Sequence, residues 1–254
     1  MSNYALFQMW GPYRQSLIKG HQFYVEQARK RVLSQFENME EEADKAAEEW
    51  LEQSGDQFDP DRHDPGDFYE AANDIGIEFY QLLSEMSDQT RLSVIAGMFH
   101  EWDKKLRDWL VREILRWHRG ETVVAKVWSV DFGKIADLLE SFGWNIRSTD
   151  YFERLDACRL VVNVHKHGVG KSLDDLKQNY PEYLDNPLSG SGSPWAEKML
   201  DYTNLKVSDD QFQAFSDAIV AFWRDVPENV VGGPQQVPDW FEKAIQSDNA
   251  VRSQ

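Results

Sequence analysis

Apolar side chains recur every three or four positions through most of this chain, and that spacing admits helices and little else. The first stripe runs through Leu17, His21, Tyr24, Ala28, Val32, Phe36, Met39, Ala43, Ala46 and Trp50. A period of 3.6 residues lines one face of a helix, and here the other faces carry charged and amide groups, Glu40, Glu41 and Glu42 among them. The spacing predicts one long amphipathic helix. A second stripe follows at Phe68, Ala71, Ala72, Ile75, Phe79, Leu82, Leu83 and Met86. A third runs through Leu92, Ile95, Phe99, Trp102, Leu106, Trp109, Leu110, Ile114 and Trp117, with Gly120 placed as a C-terminal stop.

The punctuation between stripes is that of loops. Residues 54–67 hold two prolines, two glycines and five aspartates, a breaker-rich connector. His63 sits among those carboxylates, but the alternating oxygen ligands and closing glutamate of a calcium loop are absent, so a solvated linker is expected. Residues 121–130 are β-branched enough for a strand, yet a lone strand has nothing to pair with, and a helical or irregular segment fits equally. Asp131 is placed to cap a short helix through Phe132, Ile135, Leu138, Leu139 and Phe142, closed by Gly143. Thr149 is placed to cap the next, through Phe152, Leu155, Cys158 and Val162.

Beyond Gly168, the prolines 181, 187 and 194 and the Ser/Gly run 189–193 predict a long loop. Ser208-Asp209-Asp210-Gln211 reads as a capping box with acids at the positive helix end. The helix it opens carries Phe212, Phe215, Ile219, Phe222 and Trp223 and is stopped by Pro227; past Gly232 only Trp240 and Phe241 break a polar tail. The expected fold is all-α: a bundle of long antiparallel helices with a shorter C-terminal helical appendage. Its expected parts are an N-terminal amphipathic helix at 1–55, an acidic linker at 56–66, a main helical domain at 67–230 and a polar tail at 231–254.

Charge and cysteine usage narrow the setting. The formal net charge is −17, which opposes adsorption to anionic lipid and requires any nucleic-acid role to rest on a local site. One cysteine, Cys158, excludes an internal disulfide framework and fits a reducing compartment. The first residues lack a basic start and an unbroken apolar stretch, and no run of 18 apolar residues occurs, so the expectation is a cytoplasmic protein without a membrane span. Trp102, Trp109 and Trp117 offer more aromatic surface than one helix usually needs, which predicts a homodimer.

Site chemistry concentrates between Arg159 and Ser172. On a helix Arg159, Asn163 and His167 stand at i, i+4 and i+8, a stripe drifting by about 40° per step, with Lys166 beside it and His165 on another side. Arginine offers a bidentate fork to phosphate, and histidine exchanges a proton near neutral pH. The alternative use of these residues is a helix end, His and Lys satisfying the last carbonyls before Gly168. A strand at 160–164 would instead make Gly170-Lys171-Ser172 the tail of a phosphate loop. Its first glycine would then have to be His165, and no alternating β/α series flanks it. Lys166 and Lys171 remain candidate phosphate contacts. No cofactor and no metal site is expected.

Arg159 followed by His165 after five residues, and Asn163-Val-His-Lys-His167 followed by glycine, resemble the motif of HEPN-type helical domains. In the tighter form of that motif, Arg-Asn-x-x-x-His, the arginine falls on Val162. Either Arg159 supplies the cation from one turn earlier or the ribonuclease chemistry is lost. The resemblance implies a HEPN-like domain at 67–230 and a metal-independent endoribonuclease directed at RNA. It also implies a dimer with facing motifs, a setting in toxin or anti-phage systems, and a protein antitoxin or regulator as partner. The runner-up is a non-catalytic helical interaction or scaffold protein dimerising through the Trp-rich helix.

Overall fold

The computed structural model describes residues 5–59, 61–187, 199–231 and 236–252. The Ser/Gly run 189–193 and Pro194 lie outside them. The chain is all-α, with one two-stranded antiparallel sheet, β1 (Ala5–Gln8) against β2 (Asn229–Val231), which the sequence reading did not anticipate. The helices are α1 (Gly11–Arg31), α2 (Met39–Ser54), α3 (Pro65–Ile114), α4 (Glu121–Ser129), α5 (Phe132–Ser141), α6 (Phe152–His167), α7 (Lys171–Asn179), α8 (Asp209–Asp225) and α9 (Asp239–Arg252). No helix among the described residues is long and apolar enough to cross a membrane.

Several boundaries depart from the sequence expectation, each for a local reason. The first stripe is two helices, because a 3-10 turn over Leu33–Phe36 separates α1 from α2. The Ser34 hydroxyl donates to the Lys30 carbonyl there, the competing bond that serine offers a helix backbone. The second and third stripes are one helix: residues 87–91 hold no glycine or proline, and Arg91 pairs with Asp88 at 3.1 Å. Residues 121–129 form helix α4, one of the alternatives that the β-branched run leaves open. Thr149 does not cap α6: its hydroxyl donates to the Ile146 carbonyl, and Tyr151 precedes the first turn. The long loop after Gly168 is interrupted by α7, and the tail carries α9, docked through the fully buried Phe241. Asp131 and the Ser208–Gln211 capping box act as expected, the latter with both reciprocal bonds, 2.8 and 3.1 Å.

The chain divides into two compact units, residues 1–25 with 95–254, and residues 26–94. In the smaller unit α2 lies close on the first half of α3: a Cβ at Gly76 would stand 3.3 Å from the Ala43 carbonyl oxygen and 3.4 Å from the Ala47 Cβ. Phe68 packs against Trp50 and, edge-on at 5.3 Å, against Phe58.

In the larger unit the core is aromatic. Phe222 of α8 meets Trp102 at 5.1 Å, Trp144 at 5.1 Å and Tyr151 at 6.2 Å, and Asp225 accepts from Trp144 Nε1 at 2.8 Å and Tyr151 Oη at 2.6 Å. Trp102 and Trp109 are therefore buried inside the chain, and Trp117 Nε1 donates to the Leu6 carbonyl. The tryptophan argument for a dimer interface loses its basis, since these rings serve the chain's own core.

Gly120 also has a different use. It precedes α4 and lies against Asp248 of α9, so closely that a Cβ there would collide with the carboxylate. That buried carboxylate accepts from Thr122 N at 2.9 Å, Val123 N at 3.1 Å and His118 Nε2 at 3.1 Å. At the other end of α4 the buried Arg107 donates to the Val127 and Val130 carbonyls. A short helix is thus capped at both ends by side chains from other helices, with charge signs that match its dipole.

His21 of α1 carries a pH dependence. Its Nε2 lies 2.9 Å from Ser216 Oγ and 3.2 Å from the Ser216 carbonyl. Burial lowers its pKa from 6.5 to about 4, against the raising effects of the Ser216 backbone and Asp217. The folded state refuses a proton that the unfolded chain takes up, so stability is complete above pH 6.5 and is lost as pH falls toward 4. We expect the wild type to lose about 2–3 kcal/mol by urea titration between pH 7 and 4.5. His21→Gln should show a clearly shallower loss; an unchanged slope would contradict this assignment.

Candidate functional site

The candidate site is built on α6. Leu155, Ala157, Cys158, Leu160, Val161, Val162 and Val164 are buried, and the helix packs against α7 and α8. Cys158 is fully enclosed, and burial pushes its thiol pKa up. The helix ends where Gly168 adopts φ +67°, a conformation that favours glycine, and its N–H donates to the Val164 carbonyl at 2.8 Å. The Tyr202 ring lies over this glycine: a Cβ there would sit 3.6 Å from the ring.

A polar face lies beside this buried one. At about 100° per residue, Asp156, Arg159, Asn163, Lys166 and His167 fall within an arc of roughly 100°. Arg159 and Asn163 are half-buried, and Lys166 and His167 are exposed. His165 falls on another side, half-buried, where burial lowers its pKa. Val162, the position of the arginine in the tighter motif, is only 1% exposed, so a guanidinium there would enter the core. The exposed stripe has its arginine one turn earlier, at Arg159.

Arg159 has a carboxylate partner that the motif does not include, and that carboxylate has a partner of its own. Asp156 Oδ1 accepts from Arg159 Nε at 2.8 Å and lies 2.7 Å from Nη2 in the same ion pair. Tyr180, just beyond α7, donates to Asp156 Oδ2 at 3.4 Å. Burial, then the negative charge and hydrogen bond of Asp156, push Tyr180 up to about 12, so it stays a neutral donor near pH 7. Asp156 was legible in principle, since a carboxylate three residues before an arginine meets it on a helix. Nε is the guanidinium group given to Asp156, which leaves N–H groups of the two Nη atoms to face a ligand.

Lys166 brings a further group with it. His100, on α3, has a pKa lowered first by burial and then by the charges of Lys166 and Lys104, with Asp103 opposing. The Lys166 charge is thus felt by an imidazole on α3. Lys171 lies on α7, where it pairs with Asp175 at 2.8 and 2.6 Å to the two oxygens. Because residues 160–164 are helical, the strand that a phosphate loop at Gly170-Lys171-Ser172 requires is absent.

No family model, curated protein or solved structure matches this chain. Among the described residues no cluster of three or more His, Cys, Asp or Glu is arranged to hold a metal. The charge is also unevenly placed. Residues 26–94 hold 19 acidic and 6 basic side chains, a net −13, which leaves −4 for the unit that contains α6. What the arrangement offers is a cationic fork, an amide, an ammonium and an imidazole on one accessible helix face.

Proposed function

We propose that the exposed polar face of α6 is a phosphate-binding and proton-transferring site that acts on RNA, as a metal-independent endoribonuclease resembling HEPN-type domains. The observation that carries this reading is the grouping of Arg159, Asn163, Lys166 and His167 on one face of a helix whose apolar residues from Leu155 to Val164 are all buried. In the proposed reaction the His167 imidazole takes the proton of a ribose 2′-hydroxyl or returns one to the leaving 5′-oxygen. Arg159, held by Asp156, turns its remaining N–H groups to the scissile phosphate as charge builds there. Asn163 and Lys166 bind neighbouring phosphate oxygens. The resemblance adds a homodimer with the two α6 faces opposed, a cytoplasmic role in toxin or anti-phage defence, and a protein antitoxin or regulator.

One observation favours a second reading, a non-catalytic interaction protein: Arg159 already has a carboxylate partner at 2.7 Å. A structural ion pair needs no substrate.

Cleavage of a panel of RNAs by purified protein, with EDTA present, separates the two. The first reading expects cleavage that EDTA leaves intact. His165→Ala should retain activity within about tenfold, because its ring faces another side of the helix, while His167→Ala should fall by far more. If His165 is the indispensable ring, the looser arginine-to-histidine spacing is the working one and the stripe assignment is wrong. If no RNA is cleaved, the interaction reading stands.

A further inference from the structure

The smaller unit presents apolar surface of a kind that stable helices rarely leave to water. On α3, Phe79, Leu82 and Met86 are 37%, 58% and 59% exposed. Their spacing of i, i+3 and i+7 places them within about 60° of one another, in a single ridge. Tyr69 and Tyr80, also exposed, form a second ridge about 100° away. Earlier on the same helix Ala72 is buried and Gly76 faces α2, so the stripe that starts in a packed seam emerges uncovered.

The surround is acidic. Asp67, Asp74, Glu78 and Glu85, all exposed, form a column beside the Leu82 edge of the ridge at helical spacing. The unit as a whole carries a net −13 on 69 residues. This charge decides between occupants. A second copy would set one acidic surface against another, and an anionic lipid surface would meet the same repulsion. A cationic partner gains from both features: apolar contact along the ridge and attraction from the adjacent column.

We propose that the Phe79–Leu82–Met86 ridge docks a basic amphipathic helix of a partner protein, with apolar residues seated on the ridge and lysines or arginines beside the Asp67–Asp74–Glu78–Glu85 column. Helix-on-helix docking reads anchors at i, i+3 and i+7, the spacing the ridge supplies. The proposal does not depend on ribonuclease chemistry at α6.

The test uses the full chain and three synthetic 20-residue peptides, followed by fluorescence anisotropy. One peptide is an amphipathic helix with leucines on one face and flanking lysines. The second has the same composition scrambled, and the third carries glutamates in place of the lysines. We expect micromolar binding of the first at low salt, at least about tenfold weaker binding of the scrambled peptide, and none of the glutamate peptide. Raising salt to 0.5 M should weaken the first severalfold or more. The variant Phe79→Ser/Leu82→Ser/Met86→Ser alters only exposed side chains and should keep its helical spectrum while losing at least about tenfold in affinity. A second variant, Asp74→Asn/Glu78→Gln/Glu85→Gln, should lose the preference for lysine over glutamate with the ridge intact. Equal binding of the scrambled peptide, undiminished binding by the serine variant, or no binding at all would overturn the proposal. So would a wild-type dimer in sedimentation that the serine variant dissociates, because the occupant would then be a second copy.

Discussion

Asp248→Ala is expected to lower stability by about 3–5 kcal/mol, the loss typical when one partner of a buried charged network is removed. One carboxylate serves three donors there: the first-turn amides of Thr122 and Val123 and the His118 ring. Alanine leaves the buried Val123 N–H without an acceptor and removes the negative charge at the N-terminus of α4. Asn keeps one acceptor but presents an NH2 to donors, so Asp248→Asn should recover only part of the loss. Burial would raise the Asp248 pKa, but the hydrogen bonds of Thr122, Val123 and His118 outweigh it and pull the pKa from 3.8 to about 2. The sign follows: this contribution is complete above pH 4 and is lost as pH falls toward 2. Urea midpoints of wild type and Asp248→Ala at pH 7 and pH 2.5 check both statements. A gap that does not narrow at the lower pH would contradict the ionised cap.

Arg159→Ala and His167→Ala are expected to reduce RNA cleavage by about 10²–10⁴, the usual range for removing a positioned acid–base or charge-stabilising group. Neither should change the melting temperature by more than a few degrees. His167 is exposed, and the Asp156–Arg159 pair, with side chains about one-quarter exposed, contributes on the order of 1 kcal/mol or less. Asp156→Ala separates a structural ion pair from a positioned one. If Asp156 only ties Arg159 to the helix, its removal leaves cleavage unchanged or raises it by freeing the fork. If it orients the fork, turnover falls while RNA binding, with a cation now unpaired, is kept or strengthened. Loss of activity in Arg159→Ala accompanied by a large drop in melting temperature would reduce Arg159 to a structural role.

What the sequence disclosed follows the range of the forces involved. Contacts within a turn or two were legible. Asp131 capping α5, the Ser208–Gln211 box and the polar stripe of α6 each depend on residues three to eight apart. Breaks and joins were harder, because they turn on weak local competition. The α1–α2 interruption comes in a segment without proline or glycine, and the same lack of breakers let two stripes run together as α3. Least legible were pairings across the chain. Asp248 lies 126 residues from Thr122, and nothing in either neighbourhood announces the other. Gly120 was assigned to the wrong helix end for that reason, its neighbour being a carboxylate from α9. The tryptophans misled in the same way. Aromatic richness does not say whether a ring meets Phe222 of its own chain or a second copy.

The site followed the same rule. Arg159, Asn163, Lys166 and His167 share a face because α6 is a helix, which local periodicity indicated. Lys171 was grouped with them by proximity in sequence, but the turn at Gly168 and Gly170 places it on α7, paired with Asp175. The Lys166 charge is felt by His100 on α3, over sixty residues away, and no local pattern could have disclosed that.

The most direct measurement of the central claim is the chemistry of the cut ends. A ribose 2′-hydroxyl deprotonated by His167, with the phosphate held by Arg159 and no metal, must displace the 5′-oxygen within the same nucleotide step. Mass spectrometry of an RNA oligonucleotide cleaved in EDTA should show a 2′,3′-cyclic phosphate and a 5′-hydroxyl, and a 2′-deoxy substitution at the cleaved position should block the reaction. Products ending in 3′-hydroxyl and 5′-phosphate, or cleavage that persists through the deoxy position, would contradict the assignment of α6 as the reacting face.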